Sequence, residues 1–176
     1  MLTATNPYSG KKIDSFPCLT KHEMYARIGE ASAAFADWSD RSFEERGEVL
    51  RSVARQLRAE KHDLAQLMAL EMGKPIREGV PEVEKAAFCA EFYADNAEKF
   101  LARDTIESDA SLSYVCYQPL GTLLGILPWN APLWLAFRYL APVLMAGNTC
   151  VMNFTACNFG YFPACTTRTG KRNCRQ

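Results

Sequence analysis

The chain has 176 residues, with 20 Lys+Arg against 20 Asp+Glu and a formal net charge of zero at pH 7. This length holds one ordinary domain or parts of two. The balanced charge leaves no basic face for nucleic acid, and no apolar stretch reaches the roughly 20 residues that a membrane span needs. The N-terminus has no basic region followed by an apolar core, so a soluble, cytoplasmic protein is expected.

Turn and helix signals fill the first part of the chain. Turn-forming residues around short alternating segments predict a β-hairpin over residues 6–17. Apolar side chains at helical spacing predict an amphipathic helix over residues 21–37. Ser42, three residues before Glu45, has the form of a capping box. It predicts that a second helix begins directly after Ser42.

Glycine and proline indicate the limits of two further helices. Gly73 follows an apolar helical stretch, and its ready access to the left-handed backbone region predicts a helix end there. Pro81 is predicted to occupy the first turn of the next helix, where its missing N–H has the least effect. Valine and alanines at helical spacing extend that helix to about Leu101.

Beyond residue 110 the pattern changes from helical to mixed. Residues 113–117 alternate polar and apolar β-formers and predict a half-buried strand. The apolar run at 121–127 is too short for a helix and is bracketed by Gly and Pro, which is typical of a parallel strand covered on both faces. A helix at 132–146 and a strand at 149–152 complete a predicted βαβ unit.

Asn130 is a polar residue placed where the strand at 121–127 ends. Ligands bind at the carboxyl ends of strands in open α/β sheets, so its amide is a candidate donor to a substrate oxygen. The spacing leaves a second interpretation open, in which Asn130 only caps the helix that follows.

The seven cysteines do not have the spacing of a metal site. No Cys-x-x-Cys pair occurs and no histidine lies beside Cys157, Cys165 or Cys174, so no metal ligand is predicted. Cys150 falls in a predicted buried strand, where a cysteine behaves as a small apolar residue rather than as a nucleophile.

Five short motifs occur along the chain in a fixed order. They are Asn6-Pro7-Tyr8-Ser9-Gly10, Glu71-Met72-Gly73-Lys74-Pro75, Gln118-Pro119-Leu120-Gly121, Pro128-Trp129-Asn130 and Ala146-Gly147-Asn148. Their order and separations resemble the first third of the aldehyde dehydrogenase superfamily, over residues 5–152. The Glu-Met-Gly-Lys-Pro run and the short N-terminus are most similar to its succinate-semialdehyde dehydrogenase branch.

The resemblance implies an α/β fold, namely the N-terminal part of the aldehyde dehydrogenase fold, with a helical segment and an incomplete Rossmann-like parallel sheet. Residues 1–110 would be the hairpin and helices of the cofactor-binding domain, and residues 121–152 the first βαβ unit. Residues 111–120 would hold an oligomerisation strand that pairs with strands elsewhere in the assembly. Residues 153–176 lose the pattern, and we interpret them as an aberrant or disordered tail.

The resemblance also implies a cofactor and site residues. Asn130 matches the family's oxyanion-hole asparagine. The residues that match a contact with NAD or NADP are Ile126, Leu127, Pro128 and Trp129. The Gly-x-Gly-x-x-Gly turn is missing, and Asn153 occupies the position of a family lysine near the adenosine ribose.

Aldehyde oxidation requires a thiolate nucleophile, an oxyanion donor, a nicotinamide and a general-base carboxylate. Only the oxyanion donor is present, because no cysteine follows Gly-Gln-x and no glutamate precedes Leu-Gly-Gly. The expected function is therefore that of a fragment of an NAD(P)-dependent enzyme that oxidises a small-molecule aldehyde, with succinate semialdehyde as the candidate. This chain alone is expected to be inactive.

A second hypothesis makes the chain a non-catalytic interaction module. The strand around Val115 would pair with full-length subunits or with a second copy of the chain, because an exposed strand edge is a template for pairing. Too few strands follow to cover the apolar run at 121–127, so we also expect marginal stability, with formed helices and a loose βαβ unit.

Overall fold

The computed structural model describes residues 1–154, and within them it contains five helices and three two-stranded sheets. None of these helices is both long enough and apolar enough to cross a bilayer. The elements in chain order are β1 Leu2–Thr5, β2 Lys12–Phe16, α1 Lys21–Asp40, α2 Phe43–Ala59, α3 Lys61–Met72, α4 Ile76–Phe100, β3 Asp104–Thr105, β4 Tyr114–Val115, β5 Thr122–Leu127, α5 Pro132–Met145 and β6 Thr149–Phe154.

The N-terminal hairpin begins earlier than predicted. β1 and β2 pair antiparallel, so the predicted hairpin region at 6–17 contains the connection and only the second strand. Asn6 Oδ1 accepts hydrogen bonds from the backbone amides of Tyr8 (2.9 Å) and Ser9 (3.1 Å), and Gly10 has a φ of 68°. The turn residues therefore form the loop between the strands rather than the first strand.

The helix limits set by local signals agree with the structure. Ser42 and Glu45 form the predicted capping box at the start of α2. Thr20 and Glu23 form a second capping box at the start of α1. Gly73 ends α3 with a φ of 74°, in the left-handed region predicted for it.

The position predicted for Pro81 is wrong. α4 begins at Ile76, directly after Pro75, so Pro81 lies in the second turn of the helix and not in its first. A proline there removes one helical hydrogen bond. Gly79 and Val83 are buried on either side of it, and this tertiary packing outweighs the local loss.

The hydrophobic core lies between α2, α3, α4 and α5. Its largest fully buried side chains are Leu50, Met68, Val83, Leu133 and Met145, and Trp38 of α1 is also fully buried. Trp38 joins α1 to the end of α5, since its Nε1 donates to the carbonyl of Leu144 at 3.0 Å. The helices therefore enclose one side of α5 and fix where that helix begins and ends.

The strand predicted at 113–117 is only two residues long and has its partner within the chain. β4 pairs antiparallel with β3, which the sequence pattern did not reveal. The amide of Ile106 extends the pairing by donating to Ser113 O at 2.9 Å. The expected paired edge is therefore present, but the half-buried state predicted for this strand is wrong, since both residues of β4 are exposed. Pairing with strands elsewhere in an assembly stays a prediction.

The predicted βαβ unit is present, with β5 and β6 parallel and α5 between them in the chain. α5 packs on one face, where Tyr139 lies against Gly125. On the other face Leu124 is 65% exposed and Ile126 is 60% exposed. Cover on both faces is therefore wrong for β5, whereas the expected incomplete cover of this strand is confirmed.

Candidate oxyanion site at the end of β5

A four-residue loop, residues 128–131, connects the carboxyl end of β5 to the start of α5. Asn130 is exposed in this loop, and its carboxamide makes no hydrogen bond within residues 1–154. The N-cap of α5 is Ala131, and the cap makes no side-chain hydrogen bond. The interpretation of Asn130 as a helix cap is therefore wrong, and its amide is directed to no acceptor in the described chain.

Glu82 of α4 supplies the acceptor that the N-cap of α5 lacks. Its Oε1 accepts from the backbone amides of Leu133 at 3.0 Å and Trp134 at 3.1 Å. Its Oε2 pairs with Lys74, and the Lys74 ammonium also donates to the carbonyl of Asn130 at 3.3 Å. The Glu82 side chain is 5% exposed and that of Lys74 is 14% exposed, so this network is almost entirely buried.

The other end of α5 is closed by the Ala146-Gly147-Asn148 motif. Gly147, with a φ of 85°, donates to Leu144 O at 3.0 Å, and the Asn148 amide donates to Val143 O at 3.1 Å. These two bonds form a Schellman motif. The Asn148 side chain also contacts the start of β5, because its Oδ1 accepts hydrogen bonds from the amides of Leu120 and Gly121, which directly precede that strand.

The four predicted cofactor-contact residues are contiguous at the carboxyl end of β5. Ile126 and Trp129 are 60% and 40% exposed, so this edge of the sheet is open to a ligand. Their contact with a dinucleotide stays a prediction. Pro128 is also exposed, and Leu127 is half-buried.

The second strand of the sheet offers no cation beside these residues within the described chain. β6 places Asn153 in register with Ile126, and Asn153 is exposed. Its correspondence with a family lysine stays a prediction. A neutral amide at this edge supplies no cation to a ribose or a phosphate. The sequence also contains no Gly-x-Gly-x-x-Gly turn.

Of the four cysteines within residues 1–154, Cys89 and Cys150 are at least half-buried, whereas Cys18 and Cys116 are exposed and lie outside the loop at the end of β5. Cys89 is buried, its Sγ lies 3.7 Å from the carbonyl of Phe137, and burial raises the pKa of its thiol. Cys150 lies within β6, as predicted, but it is half-buried rather than buried. Cys157 and most of the predicted tail, 155–176, lie outside the described residues.

Residues 1–154 contain no group of three or more His, Cys, Asp or Glu side chains that could hold a metal ion. For the whole chain, the absence of a metal site stays a prediction from the cysteine spacing.

Sequence analysis missed Lys74 and Glu82 as parts of the site. Lys74 stood in a quoted motif without a role, and Glu82 had no motif at all. The available signal was indirect. Ala131 is a poor cap, and the first turn of α5 has no acidic residue, so an acceptor from another element was required.

Comparison with known proteins identifies the family. Residues 1–156 match the model of the aldehyde dehydrogenase family. The probable succinate-semialdehyde dehydrogenase, NADP(+), of Synechocystis sp. is 41% identical over 147 residues, which are 84% of this chain and 32% of that protein. Succinate-semialdehyde dehydrogenase 1, NADP(+), of Mycobacterium tuberculosis is 41% identical over 150 residues, covering 84% of this chain and 33% of that protein.

Solved structures show the same similarity in three dimensions. Succinic semialdehyde dehydrogenase from Streptococcus pyogenes, solved with NADP+, has a TM-score of 0.83 and 30% identity, covering 88% of this chain and 34% of that one. An NADP-dependent enzyme of E. coli has a TM-score of 0.82 and 34% identity, covering 86% and 32%. The chain spans about a third of the length of these relatives. It belongs to the aldehyde dehydrogenase family.

Proposed function

We propose that this chain is the N-terminal part of an NADP-dependent aldehyde dehydrogenase that oxidises succinate semialdehyde to a carboxylic acid, and that the 176-residue chain alone is inactive. The observation that carries the proposal is the placement of Asn130 at the carboxyl end of β5, with a carboxamide that no group within residues 1–154 uses. The substrate and cofactor follow the names of relatives that are 41% identical over 84% of this chain.

In this function the Asn130 amide donates a hydrogen bond to the aldehyde oxygen. Negative charge grows on that oxygen when a nucleophile adds to the carbonyl carbon, so the bond strengthens as the transition state forms. Removing such a donor lowers kcat by about 10²–10³. The exposed edge formed by Ile126, Pro128 and Trp129 would lie beside the cofactor.

The proposed inactivity follows from the groups that the sequence does not supply. The sequence has no Gly-Gln-x-Cys nucleophile and no Glu-Leu-Gly-Gly base, and the resemblance sets Asn153 at the position of a family lysine. An oxyanion donor without a nucleophile or a base has no covalent intermediate to stabilise. Purified chain with succinate semialdehyde and NADP should give no turnover above a buffer control, and turnover insensitive to further purification would contradict this part.

A chimera tests the active function. Residues 1–152 of this chain replace the matching third of the Synechocystis relative, which then supplies its own remaining two thirds. We expect the chimera to reduce NADP with succinate semialdehyde. Asn130→Ala in the chimera should lower kcat by about 10²–10³ with a small change in KM.

The matched control is Asn96→Ala, because that amide donates only to Phe92 O of its own helix. It should leave kcat within about twofold. A folded chimera that oxidises other aldehydes but not succinate semialdehyde would contradict succinate semialdehyde as the substrate. Equal kcat values for Asn130→Ala and the parent chimera would contradict the role of Asn130.

The interaction-module alternative has no observation in its favour. Val115 already pairs with Asp104 inside the chain, so one edge of this two-residue strand is occupied. A homo-oligomer or a full-length subunit as partner, and a location in the cytoplasm, stay predictions.

Sequencing the locus past codon 152 would decide whether the tail belongs to the gene, since a corrected frame should continue with a lysine near residue 153.

A further inference from the structure

We infer that Glu82 and Lys74 are positioning residues for Asn130. The inference deepens the proposed function and rests on it, because it assumes that the Asn130 amide is the donor to the aldehyde oxygen. Neither residue contacts substrate in this role. Glu82 fixes the first turn of α5 through the amides of Leu133 and Trp134, and Lys74 fixes the backbone of Asn130 itself.

The arrangement separates helix capping from ligand binding. A helix N-terminus needs side-chain acceptors for its first amides, and an asparagine near the start of the helix is a common source. Here Ala131 is the N-cap and the acceptor comes from α4. The Asn130 carboxamide is therefore not used in holding the helix and keeps its N–H groups for a ligand.

Two compensating contacts allow the Glu82 carboxylate to be buried. The N-terminus of α5 presents two amides and a partial positive charge, and the Lys74 ammonium supplies a full positive charge. Removing either partner would leave an uncompensated charge on a side chain that is 5% exposed. This makes the network a specific contact rather than a surface ion pair.

Lys74 in turn stands on a rigid part of the backbone. Gly73 ends α3 in the left-handed conformation, and Pro75 directly precedes α4. Proline fixes its own φ, so this connection between the two helices has little freedom. The loop that carries Asn130 is thereby attached to the helical part of the molecule and not only to the strand before it.

Amide hydrogen exchange in the 176-residue chain tests the inference. The first amides of a helix normally lack acceptors and exchange fast. Leu133 and Trp134 should exchange at least about tenfold more slowly than Arg77. Arg77 occupies the second position of α4, whose N-cap makes no side-chain hydrogen bond.

Three variants and one control separate positioning from general stability. Glu82→Ala should raise exchange at Leu133 and Trp134 to the level of Arg77, whereas Glu82→Gln, which keeps an acceptor oxygen, should stay within about threefold of wild type. In Glu82→Ala and Lys74→Met the backbone order parameter of Asn130 should fall from about 0.85 to below about 0.6. The control is Glu84→Gln, also on α4, which removes the ion pairs that Glu84 makes with Arg58 of α2 and Lys61 of α3. It should change neither the exchange rates nor the order parameter.

Two results would overturn the inference. One is fast exchange of Leu133 and Trp134 in the wild-type chain, equal to that of Arg77. Another is an equal rise in exchange along the whole of α5, including Leu140, in all three variants, because a general loss of stability would then explain the data. These measurements use no aldehyde and no dinucleotide, so they can fail while the chimera remains active, or succeed while the chimera fails.

Discussion

The helical region, α1 to α4, and the βαβ unit bury their apolar side chains to different degrees. In the helical region Leu50 and Met68 are 2% and 1% exposed, whereas Leu124 and Ile126 on β5 are 65% and 60% exposed. α5 belongs to both regions, since it packs on the helices with one side and on the sheet with the other. The difference shows that the helices close a core around α5, while β5 is covered on one face only.

The largest expected effect comes from the closed core. Leu50→Ala should lower the free energy of unfolding by about 2–5 kcal/mol, because it removes apolar contacts and leaves a cavity in a packed site. Leu124→Ala, the matched change on the open face, should lower it by less than about 0.5 kcal/mol. Urea unfolding followed by far-ultraviolet circular dichroism measures both.

Equal losses for the two leucine variants would contradict the comparison, since they would mean that the β5 face is covered in solution. Leu124→Ala should also reduce self-association in sedimentation velocity if the open face causes it. The loose βαβ unit expected from the sequence stays a prediction. A small loss of stability for Leu124→Ala beside a large one for Leu50→Ala would agree with it.

The buried amide of Asn148 should have the next largest effect. Asn148 is 6% exposed and its Oδ1 accepts from the amides of Leu120 and Gly121. Asn148→Ala leaves two donors without an acceptor at the entrance to β5 and should cost about 1–3 kcal/mol. Asn96→Ala, on the surface of α4, is the control and should stay within about 0.5 kcal/mol of wild type. A loss for Asn148→Ala no larger than that of the control would show that water replaces the acceptor.

Alanine substitutions at Gly125 and Gly29 should change the stability of the chain in opposite directions. A Cβ on Gly125 would lie 2.7 Å from Cε1 of Tyr139, so Gly125→Ala should destabilise the chain by about 1–3 kcal/mol through overpacking between β5 and α5. A Cβ on Gly29, within α1, would meet nothing within 4 Å, so Gly29→Ala should stabilise it by about 0.5–1 kcal/mol. Thermal unfolding of both variants gives the signs, and a stabilising Gly125→Ala would mean that Tyr139 moves freely.

Sequence reasoning succeeded where the signal was local. The capping box at Ser42 and the left-handed end of α3 at Gly73 involve residues within one turn, so their chemistry can be recognised from spacing alone. Pro81 misled because two prolines, Pro75 and Pro81, both fit the start of a helix. Only the tertiary packing of the turn between them decides which one precedes the helix.

Non-local contacts could not be recognised in the same way. The pairing of β3 with β4 involves two residues on each strand, too few for an alternating pattern to be detected. Glu82 is 48 residues before Asn130, and its contact with α5 depends on how α4 crosses that helix. The position of Asn130 was therefore predictable, whereas the residues that hold its loop were not.

The smallest expected effect is at the exposed start of α2. The backbone amide of Ser42, and then its hydroxyl, donate to the Glu45 carboxylate and lower the pKa of Glu45 below its ordinary value of 4.5. Because the pKa is lower in the folded chain, this cap stabilises the chain above pH 4.5 and the contribution disappears as the pH falls through the folded-state pKa. Glu45→Gln should therefore be less stable than wild type at pH 7, with a difference that shrinks below about pH 4.5.

Glu107→Gln, in the connection between β3 and β4, is the control, and urea midpoints between pH 3 and pH 7 provide the measurement. A stability difference between Glu45→Gln and wild type that stays constant over this range would show that the carboxylate charge does not contribute to the cap.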